Sequence, residues 1–364
     1  MELEIFFFLS FVLLIIGSLP LWWKVLGRIR SGGAVIELRE TSECPFGFVD
    51  VGLMFLFWLF GQLACIGVAV VLLGINPSKL TELSGSKMAW LTVIVSAGQL
   101  VATAGALLLL HLRYRKFEVF GLSGSTIGRD IALGALAFVM VVPTILLMQM
   151  GLTQWVDYEH ETLEMLSKNA DALTIGASWF AAVLVAPISE EIFFRGVLQA
   201  WFQRMFGGGQ LFSEGKVFGG WDKTPNRQED VIESVMGSET GNPYSAPLGA
   251  NFLLGNRPPA SPLWAILISS GMFAMAHLDQ GPAPIPLFVF GMALGYVYYK
   301  TGSVIPCIVL HMLLNGFSMF WFTLGTIFPD PEDQELVPSE IDVAPAMLQI
   351  SDCLEQIFMA MGFH

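Results

Sequence analysis

The sequence predicts an all-α, polytopic membrane protein with about eight transmembrane helices, and three observations lead there. Of 364 residues, 54% are hydrophobic and only 13% charged, with a mean hydropathy of +0.64, whereas a water-facing surface needs roughly a quarter of its residues charged. Apolar runs long enough to cross a bilayer core of about 30 Å, roughly 20 helical residues, recur along the chain. Lys and Arg alternate between rich and poor loops, as the positive-inside rule requires. The net charge of -13, from 31 acids and 18 bases, argues against a nucleic-acid partner, which would need cations to neutralise phosphate. The four cysteines, Cys44, Cys65, Cys307 and Cys353, form no CxxC pair, so neither a disulfide framework nor a structural zinc site is expected.

The first span covers Ile5 to Leu21. Glu2 and Glu4 precede it and Lys24, Arg28 and Arg30 follow it, the polarity of a signal anchor with its N-terminus outside and not of a cleavable peptide. The next four are Phe48 to Gly74, Met88 to His111, Ile131 to Gly151 and Leu173 to Phe194; after a polar interruption come Leu263 to Leu278, Ile285 to Tyr299 and Val304 to Phe328. The sixth and seventh are short, which fits partly buried or re-entrant helices.

The first loop holds Lys24, Arg28, Arg30 and Arg39, and the third Arg113, Arg115, Lys116 and Arg129. The fifth carries Arg204, Lys216, Lys223, Arg227 and Arg257; the even loops carry few bases. Odd loops are therefore expected inside and both termini outside. The chain divides into N-terminal helices (1–172), a catalytic membrane core (173–206 and 262–328), a polar cytoplasmic insertion (207–261) and an acidic tail (329–364). In the tail, Met347, Ile350, Leu354, Phe358 and Met361 recur at helical spacing.

Ionisable side chains within a span cost about 2.5–3.5 kcal/mol each on the insertion scale, so they are functional candidates by default. Three segments break the apolar pattern: Glu190-Glu191-Ile-Phe-Phe-Arg195, Phe273-Ala-Met-Ala-His277 and His311-Met-Leu-Leu-Asn315. Adjacent helical residues point about 100° apart, so Glu190 and Glu191 face different ways. Glu191 and Arg195, at i,i+4 with the acid first, suit an ion pair that frees Glu190. His311 and Asn315 share a helix face. Pro187 removes a backbone hydrogen bond one turn before the acids, and a helix broken at membrane depth borders a water-filled cavity.

A carboxylate and a histidine to activate water, with a second histidine and an amide to receive an oxyanion, are the groups needed to hydrolyse an amide within a membrane. Glu190, His277 and His311 equally make up a His2Glu set for a divalent metal such as zinc, although no HExxH motif is present. Two other classes fit the same buried residues: a proton-coupled transporter or channel, and a non-catalytic membrane scaffold. On helix length alone His277 falls near the outer end of its span and His311 about 10–12 Å from the inner edge. The two meet only if the sixth helix is tilted, starts deeper or is partly re-entrant.

The three segments resemble the motifs of the CAAX-protease and bacteriocin-processing family of intramembrane endopeptidases, which includes the type II CAAX prenyl proteases: EExxxR at Glu190 to Arg195, FxxxH at Phe273 to His277 and HxxxN at His311 to Asn315. The resemblance implies an all-helical membrane peptidase acting on a membrane-associated peptide or protein. It further implies that Glu190 and His277 activate water, that His311 and Asn315 form the oxyanion hole, and that Glu191 and Arg195 support them. It leaves a metal requirement open. The expected setting is a bacterial cytoplasmic membrane. The insertion at 207–261 is longer than the family's usual connection and puts a prenylated substrate in question.

Overall fold

A computed structural model describes residues 2–39, 44–76, 85–115, 120–122, 126–154, 171–206, 262–278 and 280–328. The insertion core, the fourth loop and the acidic tail with its expected amphipathic helix lie outside the described residues. The rest forms eight helices and, among the described residues, no strand. They are α1 (Glu2–Arg30), α2 (Phe48–Leu73), α3 (Ser86–Tyr114), α4 (Ile127–Thr153), α5 (Ala172–Phe206), α6 (Pro262–Met275), α7 (Pro284–Thr301) and α8 (Ile305–Ile327). The predicted polytopic all-α class is borne out. Helices α1 to α5 and α8 are long and apolar enough to cross a bilayer. Their large side chains remain exposed on the outer faces, as at Phe60, Val71, Val101 and Leu147, where lipid replaces water as solvent.

The sixth and seventh helices are the short ones that the sequence marks. α6 has 14 residues, about 21 Å at 1.5 Å per residue, and it packs antiparallel along α7. The pairing is close because Gly291 lies against Ser270, where a Cβ would stand 3.0 Å from that side chain. In the turn between them, the N–H groups of Ala276, His277, Leu278, Gln280 and Ala283 all donate to carbonyls of the same turn or of the end of α6.

The ends that flank the predicted odd loops gather at one end of the bundle. Arg39 pairs with Asp130 at the start of α4 at 2.6 Å, and its N–H donates to the carbonyl of Lys300 at the end of α7. Val304, leading into α8, donates to Gly121. Asp50, in the first turn of α2, is fully buried; it accepts from Arg113 at 2.8 Å, from the Tyr114 hydroxyl at 2.6 Å and from the Gly47 N–H at 2.8 Å. Asp50 thus closes the start of α2 through the Gly47 N–H, and both aspartates, each in the first turn of its helix, tie that turn to neighbouring segments, which joins helix-terminus electrostatics to tertiary packing. Both were passed over in the sequence because they fall at the edges of apolar runs. Asp50→Ala leaves three donors without their acceptor, at about 1–3 kcal/mol for each buried donor left unpaired. Thermal unfolding of the detergent-solubilised protein should show a lowered midpoint; an unchanged midpoint contradicts this role.

Candidate active site

Helix α5 carries the first motif, and its local geometry is irregular for identifiable reasons. Asp171 caps it by accepting from the Thr174 N–H at 2.8 Å. That hydrogen bond holds the Asp171 carboxyl below its ordinary value, so the cap operates at neutral pH and is lost as pH falls through that lowered range. Two stretches, Phe180–Val185 and Ile192–Gln199, widen into π-helical turns. In the first, the Ala186 N–H bonds back five residues to Ala181. The next donor in that pattern would be Pro187, which has no N–H. The expected break at Pro187 does not occur: the helix runs on, and the Asn315 side-chain amide donates to the Ala182 carbonyl at 2.8 Å, the acceptor that the pattern would have left open. A side chain, and not a water-filled cavity, satisfies it.

α8 lies alongside α5 and meets it at three points. The Trp179 indole donates to Thr323 at 3.0 Å, Asn315 reaches Ala182, and His311 Nδ1 stands 2.8 Å from Glu191 Oε1. Glu191 also receives the expected i,i+4 partner, with Arg195 Nε 3.2 Å from Oε2. Glu191 and Arg195 are both completely buried, and His311 nearly so. The Arg195 guanidinium donates to the Gly291 carbonyl on α7 at 3.4 Å and lies over the Phe273 ring, 4.6 Å from its centre. The Glu191 and Arg195 charges thus face each other in a low-dielectric spot, as burial requires, while Arg195 Nη1 has no hydrogen-bond partner.

Phe273 resolves the difficulty of depth. Its ring contacts His277 at 4.9 Å and His311 at 5.7 Å between centres, so the two histidines flank one aromatic side chain. They reach that ring because α6 is short. Glu191 is fifteen residues from the end of α5 at Phe206, and His277 is fifteen from the start of α6 at Pro262; both counts correspond to about 22 Å. Glu190 is next in the chain to Glu191, and its Oε2 is buried with no hydrogen-bond partner although the side chain as a whole is partly exposed. The His277 ring is oriented by its own helix, with Nδ1 2.8 Å from the Phe273 carbonyl.

All six residues named from sequence thus fall in one region, in two groups. Arg195, Glu191 and His311 form a hydrogen-bonded, ion-paired row. Glu190 and His277 stand beside it, and Asn315 is one turn further along α8 with one amide hydrogen committed to α5. Among the described residues no three His, Cys, Asp or Glu side chains are grouped to hold a metal ion, so Glu190, His277 and His311 as placed do not fit the zinc set. A clamp that sequence reasoning missed lies two turns below: Gln199, fully buried, donates to the Gly295 carbonyl at 2.8 Å and accepts from Ser269 at 3.2 Å. It joins α5, α6 and α7. The signal for it was the i,i+4 series Glu191, Arg195, Gln199, which continues the motif's face.

The comparisons with known proteins speak to the class of protein. Residues 173–224 and 249–317 match the family model of the Rce1-like type II CAAX prenyl endopeptidases, which bears out the resemblance drawn from the three motifs. The match indicates a peptidase of the CAAX type in an integral membrane protein, with a membrane-associated peptide as the class of substrate. Neither a curated protein nor a solved structure matches the chain.

Proposed function

We propose that this protein is an intramembrane endopeptidase in which Glu190 and His277 activate a water and His311 with Asn315 receives the oxyanion. The observation that supports this reading is the Glu190 carboxylate, which has one oxygen buried and unpartnered and is next in the chain to the Glu191 that bonds His311. A water held between Glu190 and the His277 ring gives its proton to Glu190 as its oxygen attacks the scissile carbonyl. The His277 ring cannot turn freely, because the Phe273 carbonyl accepts from Nδ1 and leaves Nε2 for the water. The amide hydrogen of Asn315 not used by Ala182 and the Nε2 side of His311 are the donors for the tetrahedral oxyanion. Residues 173–206 and 262–328 form the catalytic core and 1–172 its support. The basic odd loops face the cytoplasm, which puts both termini outside, and the resemblance to a family with bacteriocin-processing members favours a bacterial cytoplasmic membrane.

The test is cleavage itself. The purified protein in liposomes, incubated with membrane-tethered peptides of varied sequence, should release products whose new ends are read by mass spectrometry. Absence of cleavage together with a proton flux through the same liposomes would overturn the peptidase reading in favour of a transporter.

A further inference from the structure

We infer that Glu191 is a positioning residue that makes His311 the acid which delivers a proton to the departing amine. The inference rests on the peptidase reading above and assigns a step that reading leaves open. A carboxylate held by Arg195 only accepts hydrogen bonds, so the contact of 2.8 Å between Glu191 Oε1 and His311 Nδ1 requires the hydrogen to sit on Nδ1. The neutral ring then has a lone pair at Nε2 and can donate to nothing there. His311 donates from Nε2 only when it carries both protons, and a ring with both protons is a proton source as well as an oxyanion partner.

The surroundings hold the ring in one orientation. Glu191 bonds the ring directly, Arg195 lies on the other oxygen of Glu191, and His277 contacts the same Phe273 ring as His311 does; the Phe273 and Phe290 rings contact His311 edge-on at 5.7 and 5.5 Å. Glu191 faces two cationic partners when His311 is an imidazolium. Arg195 fixes the second oxygen of Glu191 and is itself fixed by Gly291 and Phe273, so Glu191 presents one oxygen to His311 in one direction. An acid that holds a histidine in one tautomer and steadies its imidazolium is an established element of hydrolytic sites.

The protons balance. Water forms the new C–O bond and leaves one proton on Glu190. When the C–N bond breaks, its electron pair stays on nitrogen and takes the Nε2 proton of His311. The neutral His311 is recharged by the proton on Glu190, and the products are a carboxylic acid and an amine.

The experiment compares two substrates with the same acyl portion, a peptide amide and a p-nitrophenyl ester whose leaving group departs without a proton. In Glu191→Gln, kcat on the amide should fall about 10²–10⁴-fold, with KM held within about threefold and kcat on the ester lowered at least about tenfold less than on the amide, because the ester loses only the oxyanion contact of His311. Glu191→Asp should regain part of the amide activity. Equal losses on amide and ester would overturn this inference alone, and a wild type that cleaves neither would overturn the peptidase reading and this inference with it. Where Glu191→Gln does not fold, the wild type decides on a series of anilides: rates nearly independent of leaving-group basicity support proton delivery, and a steep dependence overturns it.

Discussion

Glu190→Gln should reduce peptide cleavage by about 10²–10⁴-fold, the range expected for loss of a general base, while the protein still inserts and unfolds at the wild-type temperature. The amide has the size and shape of the carboxylic acid but accepts no proton from water. Its position also predicts little structural cost. Glu190 Oε2 has no hydrogen-bond partner, so no internal bond is lost with it, in contrast to Glu191, whose two oxygens serve His311 and Arg195. His277→Ala should lose cleavage to a similar degree, because the water then has one anchor in place of two. The double variant should be scarcely worse than either single one, since groups that act as a unit are strongly non-additive. Additive losses would mean that the two act in separate steps.

Arg195→Met should destabilise the fold by about 3–5 kcal/mol, the cost of breaking a fully buried ion pair from one side, with a further contribution of about 0.5–2 kcal/mol from the lost guanidinium contact with Phe273. The whole arrangement hangs on this side chain: it is completely buried and joins α5 to α6 through Phe273 and to α7 through Gly291. Replacing both partners, as Glu191→Leu with Arg195→Met, should recover part of the stability because no unpaired charge remains, yet activity should stay lost because His311 has no acceptor at Nδ1. Chemical or thermal unfolding in detergent separates the two effects. A single Arg195→Met variant as stable as wild type would show that the pair contributes nothing to the fold.

The spans were legible because lipid leaves few choices: apolar runs, their length and the alternation of bases decide them with no knowledge of tertiary contacts. The Glu191–Arg195 pair was legible for a similar reason, being local to one helix. The meeting of His277 with His311 was not, since the depth at which α6 stops depends on its packing against α5 and α7. The hydrogen bond from Asn315 to Ala182 depends on a π-helical register around Pro187 that no periodicity reveals. For the same reason the helix was expected to break where it runs on. Asp50 and Asp130 look in sequence like ordinary polar residues at span edges, and only the structure shows them as fully buried acceptors. The pairing of His311 with Glu191, in place of a Glu191 occupied by Arg195 alone, is a tertiary fact that changes the chemistry open to His311.

The central claim is that water activated by Glu190 attacks the peptide bond directly. Ser189, next to it in sequence, is buried with an unpartnered hydroxyl and is an alternative nucleophile. Cleavage in ¹⁸O-water containing hydroxylamine distinguishes the two. Direct attack predicts one ¹⁸O in the new C-terminal carboxylate, no peptidyl hydroxamate, and full activity in Ser189→Ala. A hydroxamate product that disappears in Ser189→Ala would establish a covalent acyl-enzyme and contradict the account.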